Sequence, residues 1–348
     1  MKPLIPWDHD WYMEQRARVD TFLALEEEAW IAAQQRAEWR EPDRLLLTNT
    51  AEFDRLLGVF HRMLSTAAIN APRIIAKRLG DYTPEKVDWV WDQRIPRGKP
   101  SILAGDGGEG KSYATLGIAA ALTTGKMLPG GSPAEPGKVL MWNGEDAPAD
   151  TIYARAESAG ADLSRIIMLE EINDRGKRQP FSLRHLPVLE AHLADDPEIS
   201  LVVIDPITAL LTGIDSHRDT EVRSALQPLS DLAKRSKTAI LMVMHLNKSE
   251  HASVLHRLSG SIGFGALARS VLFLGTHAQS GRKSIDCIKH NLSKGQPDPV
   301  EFAIGDDGFR WVGFAPGLTA RAISLSRAKA ERDAKGPTRD LWEDFEAQ

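Results

Sequence analysis

The stretch Gly105-Asp106-Gly107-Gly108-Glu109-Gly110-Lys111-Ser112 decides the reading of this chain. It fits G-x-x-x-x-G-K-[ST] at every fixed position. The apolar run Ser101-Ile102-Leu103-Ala104 precedes it and the helical run Tyr113–Leu122 follows, so the local pattern is strand, loop, helix. The glycines let the backbone curl until its N–H groups point inward. The start of the following helix adds the positive end of its dipole. Lys111 supplies a point charge to the β- and γ-phosphates of a nucleotide, and the Ser112 hydroxyl is a ligand for Mg²⁺. With average amino-acid usage such a match arises by chance in about 1–2% of chains of this kind. The eight loop residues and the next one, Tyr113, are therefore the candidate nucleotide contacts.

Outward from the loop, short apolar and β-branched runs alternate with helical stretches between about residues 87 and 314. The runs are Pro100–Ala104, Lys138–Asn143, Ile166–Leu169, Leu201–Asp205, Ala239–His245, Ser270–Gly275 and Ile285–His290. A last pair, Val300–Ile304 and Phe309–Val312, is joined by Gly305-Asp306-Asp307-Gly308, which predicts a hairpin. Alternating strands and helices predict an α/β fold with a mainly parallel central sheet. The first runs lack polar alternation, as strands covered on both faces do.

Three of the runs end in polar residues. Leu201-Val202-Val203-Ile204-Asp205 closes on an acid placed to order Mg²⁺ and its waters, or else to cap the turn that Pro206 begins. Lys138–Asn143 is followed by Gly144-Glu145-Asp146. A carboxylate there is positioned as general base toward a water facing the γ-phosphate. Glu145 has the reach for that role, whereas Asp146 suits the cap of the helix that Ala147-Pro148 opens. His245 ends a third run, where a polar side chain is able to touch the γ-phosphate; a lone histidine is otherwise an ordinary surface or core residue.

Composition narrows the classes. The chain has 348 residues and a formal charge of −5, which argues against a protein that coats duplex nucleic acid. Its length suggests roughly two domains, or one with an appendage. One cysteine, Cys287, excludes a disulfide framework. No run approaches a membrane span, and the first 20 residues lack the apolar core of a signal peptide, so the expected location is the cytoplasm. Residues 1–85 read as a helical N-terminal region, with helices over Asp10–Glu41, Thr50–Ala68 and Pro72–Leu79. Residues 86–316 form the α/β domain, and 317–348 a polar C-terminal tail, a loose helix or disordered.

Taken together, the phosphate loop, Glu145 after the next strand, Asp205 and His245 are similar to the RecA-like P-loop NTPases. Asp205 is followed by Pro206, so the adjacent acid pair of the standard AAA+ pattern is absent. More closely, residues 87–312 resemble the RepA-like AAA-family ATPases, the plasmid and phage hexameric helicase group. The supporting segments include His245-Leu246-Asn247-Lys248, Leu267-Ala268-Arg269-Ser270 and Lys289-His290-Asn291-Leu292-Ser293-Lys294-Gly295. The resemblance implies a ring, expected to be a hexamer, that hydrolyses ATP with Mg²⁺ between neighbouring subunits and moves on single-stranded DNA. It matches Arg269 to an arginine finger, Lys289 to a second cation facing the neighbour's phosphates, and Arg155 to a cation stacked on adenine. For each the plain alternative is a solvated or salt-bridged surface cation. The DnaB-type helicases carry K-x-R at the Lys289 segment; here the third residue is Asn291, so the finger role falls on Arg269.

The loops Leu211–Arg223 and Leu246–Ser261 would then face the channel, with Lys248 and Arg257 as the nucleic-acid contacts. The N-terminal helices are either an assembly collar or a dock for a primase or initiator. A recombination or regulatory ATPase on the same fold, and more distantly a small-molecule kinase, are the competing functions.

Overall fold

A computed structural model describes residues 74, 76–131, 135–215, 218–247, 254–257 and 262–335. The helices expected over 10–41 and 50–68, and Lys248, lie outside the described residues. Of the third, Pro72–Leu79, residues 76–78 are irregular and Leu79 opens a short 3-10 turn, Leu79–Asp81. The chain divides between Pro84 and Glu85, and the architecture below is that of the second unit.

A short hairpin, β1 (Trp89–Trp91) and β2 (Ile95–Pro96), leads into β3 (Pro100–Gly105). Then follow α1 (Lys111–Thr124), β4 (Lys138–Asn143), α2 (Tyr153–Ser158), β5 (Ile166–Met168), a side hairpin β6 (Glu171–Asp174) and β7 (Lys177–Pro180), α3 (Leu186–Asp195), β8 (Ile199–Asp205), α4 (Asp219–Ser236) and β9 (Ala239–His245). The C-terminal part holds α5 (Ile262–Leu267), β10 (Ser270–Thr276), β11 (Lys283–His290), β12 (Val300–Gly305), β13 (Gly308–Phe314) and α6 (Ala320–Lys335).

Nine strands form one sheet in the order β13-β12-β11-β10-β3-β9-β8-β4-β5. From β10 to β5 all neighbours are parallel; β11, β12 and β13 join antiparallel. The expected mainly parallel sheet and its C-terminal hairpin are both present, the hairpin closing with Gly305 opposite Gly308.

Alternation along each strand feeds two cores. Ile102 and Ala104 face one side with Val202, Ile204, Ile240 and Met242, covered by α3 and α4. Leu103 faces the other with Val203, Leu241 and Val243, covered by α1. Helix α4 is amphipathic, burying Val222, Leu226, Leu229 and Ala233 on one stripe. Helix α1 buries every residue from Ala114 to Thr123, so that stretch has no polar face. Each fully buried leucine or isoleucine in these layers contributes roughly 1.5–3 kcal/mol. The parallel strands all run toward the loop that follows β3, so Gly105, Asn143, Asp205 and His245 end in register along one edge: Asn143 pairs with Asp205 and Gly105 with His245.

Residues 320–335 of the expected polar tail are a docked helix. Ile323 is fully buried and Ser326 nearly so. Thr319 Oγ1 accepts from Ala322 N, and the Asp286 carboxylate accepts from Ala320 N at 2.7 Å, so the first turn is capped by a neighbour in the sheet. One apolar position per turn is enough when partners wait on the sheet, and that contact has no local signature.

Candidate functional site

The loop from Gly105 to Ser112 connects β3 to α1, as its motif requires. Gly110 caps α1 in the left-handed region, at φ 101°, and a Cβ there would stand 2.6 Å from Ile304 Cδ1. Only glycine meets both conditions. Lys111 is buried; its ammonium donates to Gly105 O at 3.0 Å and Asp106 O at 2.8 Å and lies 3.0 Å from His245 Nδ1. An ammonium only donates, so Nδ1 is the acceptor. Burial lowers the Lys111 pKa, and burial together with the Lys111 charge lowers that of His245, which keeps its ring neutral.

Asp205 ends β8 almost fully buried, and Ser112 Oγ donates to its Oδ2 at 3.1 Å. Burial is the largest cause that lifts its carboxyl to about 6; Glu145 and Asp146 push the same way, while Ser112 and Lys111 oppose. A carboxylate kept out of water beside a hydroxyl is a hard-oxygen pair that fits Mg²⁺ when waters and phosphate oxygens fill the other positions.

The turn after β4 is built by Asn143. Its Oδ1 accepts from the backbone N–H of Glu145 at 2.8 Å and of Asp146 at 2.7 Å. Gly144 N donates to Asp205 O at 2.8 Å, which ties this turn to the end of β8. The Glu145 carboxylate is exposed, with Oε2 4.0 Å from His245 Nε2. Asp146 does not cap the turn that follows: Ala147 stands at that cap position, and Asp146 instead pairs with Arg155 at 2.8 Å. The Arg155 guanidinium also lies 4.8 Å over the Tyr113 ring. The salt-bridge alternative for Arg155 is thus present, and the pair stands beside the first turn of α1.

Two loop residues that the motif leaves variable are acids, and both are engaged. Asp106 takes Arg257 on Oδ1 and Arg327 on Oδ2. Glu109 takes Arg327, the Thr276 hydroxyl and, at 3.5 Å, Lys283. Arg257 also donates to Asn247 O at 3.1 Å, so this cation, expected at a nucleic-acid channel, is turned to its own phosphate loop. Arg327, Lys283 and Thr276 are absent from the sequence reading. The only hint was two carboxylates inside an anion-binding loop, a pattern that calls for cations without saying which.

Arg269 and Lys289 lie elsewhere. Arg269 is exposed, and its backbone N–H donates to Pro100 O at the start of β3. Lys289 pairs with Val271 at the same end of the sheet and donates to Gly265 O and Ala268 O. Burial and the neighbouring Arg269 charge lower its pKa. At about 3.3 Å per residue, β3 puts roughly 16 Å between Gly105 and Pro100, where Arg269 sits, and roughly 10 Å between Gly105 and Ile102, which is level with Lys289. The structure therefore brings together Lys111, Ser112, Glu145, Asp205 and His245 and keeps Arg269 and Lys289 apart from them.

Residues 66–251 match the family described as AAA domain, which is more than half the chain. The match spans the phosphate loop, Glu145, Asp205 and His245. No curated protein matches the chain significantly. Among the described residues no helix is long and apolar enough to cross a membrane. This chain belongs to the AAA domain family and is an AAA-type P-loop ATPase.

Proposed function

We propose that this AAA-family ATPase works as a subunit of a ring, expected to be a hexamer, that turns over Mg-ATP at its subunit boundaries and acts on single-stranded DNA as a helicase of the RepA-like plasmid and phage type. The observation that carries the reading is the separation of the cations. Lys111 serves the chain's own phosphate loop, whereas Arg269, level with Pro100, sits roughly 16 Å along the strands from Gly105, and Lys289, level with Ile102, roughly 10 Å. An arginine side chain does not span that distance, so those cations meet a nucleotide only if a neighbour presents it.

The chain's residues would act as follows. The loop N–H groups and the first turn of α1 hold the phosphates, and Lys111 turns from Gly105 O and Asp106 O to them. Ser112 and Asp205 would hold Mg²⁺, whose charge would offset that of the phosphates. Glu145, exposed and hinged on Asn143, takes the proton of the attacking water. His245 meets Lys111 at 3.0 Å and stands 4.0 Å from Glu145, so it is placed to register loss of the γ-phosphate. Tyr113 and Arg155 offer a flat cationic face for the base. The neighbour's Arg269 stabilises charge developing in the transition state.

The second reading, a recombination or regulatory ATPase that assembles without unwinding, draws on Arg257, which is bound to Asp106 rather than held out for a nucleic-acid strand. Steady-state ATP hydrolysis with and without single-stranded DNA, at low and moderate salt, tests the choice. Strong, salt-sensitive stimulation followed by unwinding supports the helicase. Stimulation without unwinding supports the second reading. Turnover indifferent to DNA overturns the DNA motor, and dependence on a small acceptor would make the chain a kinase.

A further inference from the structure

The phosphate loop of this chain carries a liability. Its function, on the reading above that it takes a nucleoside triphosphate, is to concentrate positive potential on a polyanion. Yet Asp106 and Glu109 add two carboxylates within the loop itself. Left uncompensated, each would repel the phosphates, and at about 10 Å through an effective dielectric of about 20 such repulsion is worth on the order of tenfold in affinity.

The geometry points to Arg327, on the C-terminal helix α6, as a positioning residue that bridges Asp106 and Glu109 and so makes the loop able to accept the triphosphate. Its two terminal nitrogens reach one carboxylate each: Nη1 donates to Asp106 and Nη2 to Glu109. The planar fork ties the two halves of the loop together while cancelling charge, which a point charge does not do. All three side chains are mostly shielded, with 25% exposure for Arg327, 28% for Asp106 and 13% for Glu109, so solvent screens the contact only in part.

The fork is aimed by the fold. Its Nε donates to Thr276 O at the end of β10. The residue before it, Ser326, is anchored twice: its hydroxyl accepts from Ala278 N at 2.9 Å and its carbonyl from Gln279 Nε2 at 3.0 Å. One turn earlier Ile323 is fully buried, so close to Gly275 that a Cβ there would stand 3.2 Å from it. Arg257 holds the far side of Asp106 and Lys283 the far side of Glu109, but neither reaches both. Arg327 alone among the described residues joins them.

The test is equilibrium binding of a fluorescent ATP analogue with Mg²⁺ to the full chain, in the wild type and in an Asp106→Asn/Glu109→Gln background. Arg327→Ala should weaken binding by about tenfold in the wild type, as for loss of one partner from a partly buried charge pair. In the neutralised background the same substitution should change binding by less than about threefold, because no carboxylates remain to be offset. Arg327→Lys should fall between, since an ammonium offsets charge without bridging. Arg321→Ala, exposed on the same helix, should bind as the wild type does, and the melting temperature of each variant separates loss of the bridge from loss of the helix. Equal weakening by Arg327→Ala in both backgrounds, or none in the wild type, overturns the bridge. A wild-type chain that does not bind the analogue overturns the nucleotide reading itself and the bridge with it.

Discussion

The two ends of the central sheet are built on opposite plans. At the end where β3, β4, β8 and β9 finish, charged and polar groups converge and answer one another: Lys111 with His245, Asp205 with Ser112, Asp106 and Glu109 with Arg327. At the end where β10 begins, Arg269 and Lys289 stand together, and the lysine's contacts are backbone carbonyls rather than a carboxylate. Two like charges side by side are costly unless an anion arrives. On the reading proposed above, the first end holds a site whose binding groups one chain completes, lacking only the neighbour's cation. In the ring proposed above, the second would be half of a site, its two cations met by another chain's phosphates.

The sharpest way to break this contrast is to remove the loop cation. Lys111→Ala should take turnover below detection, about a thousandfold or more, and weaken nucleotide binding, read by steady-state hydrolysis and by titration. Arg269→Ala should lose about as much, on the order of a thousandfold, but keep binding. Here the two ends must part: mixed with Lys111→Ala subunits, it should recover some activity, because each variant supplies what the other lacks. Hydrolysis that stays at background in every mixing ratio would sink the two-chain site. Glu145→Gln should bind normally and hydrolyse several hundredfold more slowly; normal turnover would reassign the base.

A smaller effect probes the strain of the completed end. The buried Asp205 carboxyl titrates at about 6 against an ordinary 3.8. A raised acid pKa means that the native state holds the proton more tightly than the unfolded chain, so stability falls as pH rises through that window and levels off above it. Asp205→Asn should therefore stabilise the metal-free protein at pH 7 by ~3 kcal/mol, a gain that fades toward pH 4, while abolishing Mg-dependent turnover. Urea melts in a chelator across that range would show it, and a constant difference would refute it. The smallest change is expected away from both ends: Arg235→Ala, which breaks an exposed pair with Glu190 between α4 and α3, should shift stability by under about 1 kcal/mol.

The strands and the completed end were largely legible because their signals are local. Apolar runs closing on Asp205, Glu145 and His245 name both the strands and the edge where they finish. What stayed hidden is long-range or short. The β1–β2 and β6–β7 hairpins are too brief to carry a period. Arg327 meets Asp106 across 221 residues of chain, and no spacing announces such a pairing. The expected tail hid its docked helix because polar residues dominate its composition while Leu318, Ala320 and Ile323 make its contacts. Arg155 was read both ways, and its ion pair with Asp146 is a contact that helical spacing alone does not reveal.

Strand β10 has an end in each of the two regions. Ser270 follows Arg269 at one tip, and at the other Thr276 hydrogen-bonds Glu109 of the phosphate loop. Between them lies one extended segment, about 20 Å long, clamped on both flanks by β3 and β11. A closed ring of such chains would be a train of connecting rods. In the ring proposed above, each such segment would be a short link between the loop that holds one nucleotide and the cation offered to the next.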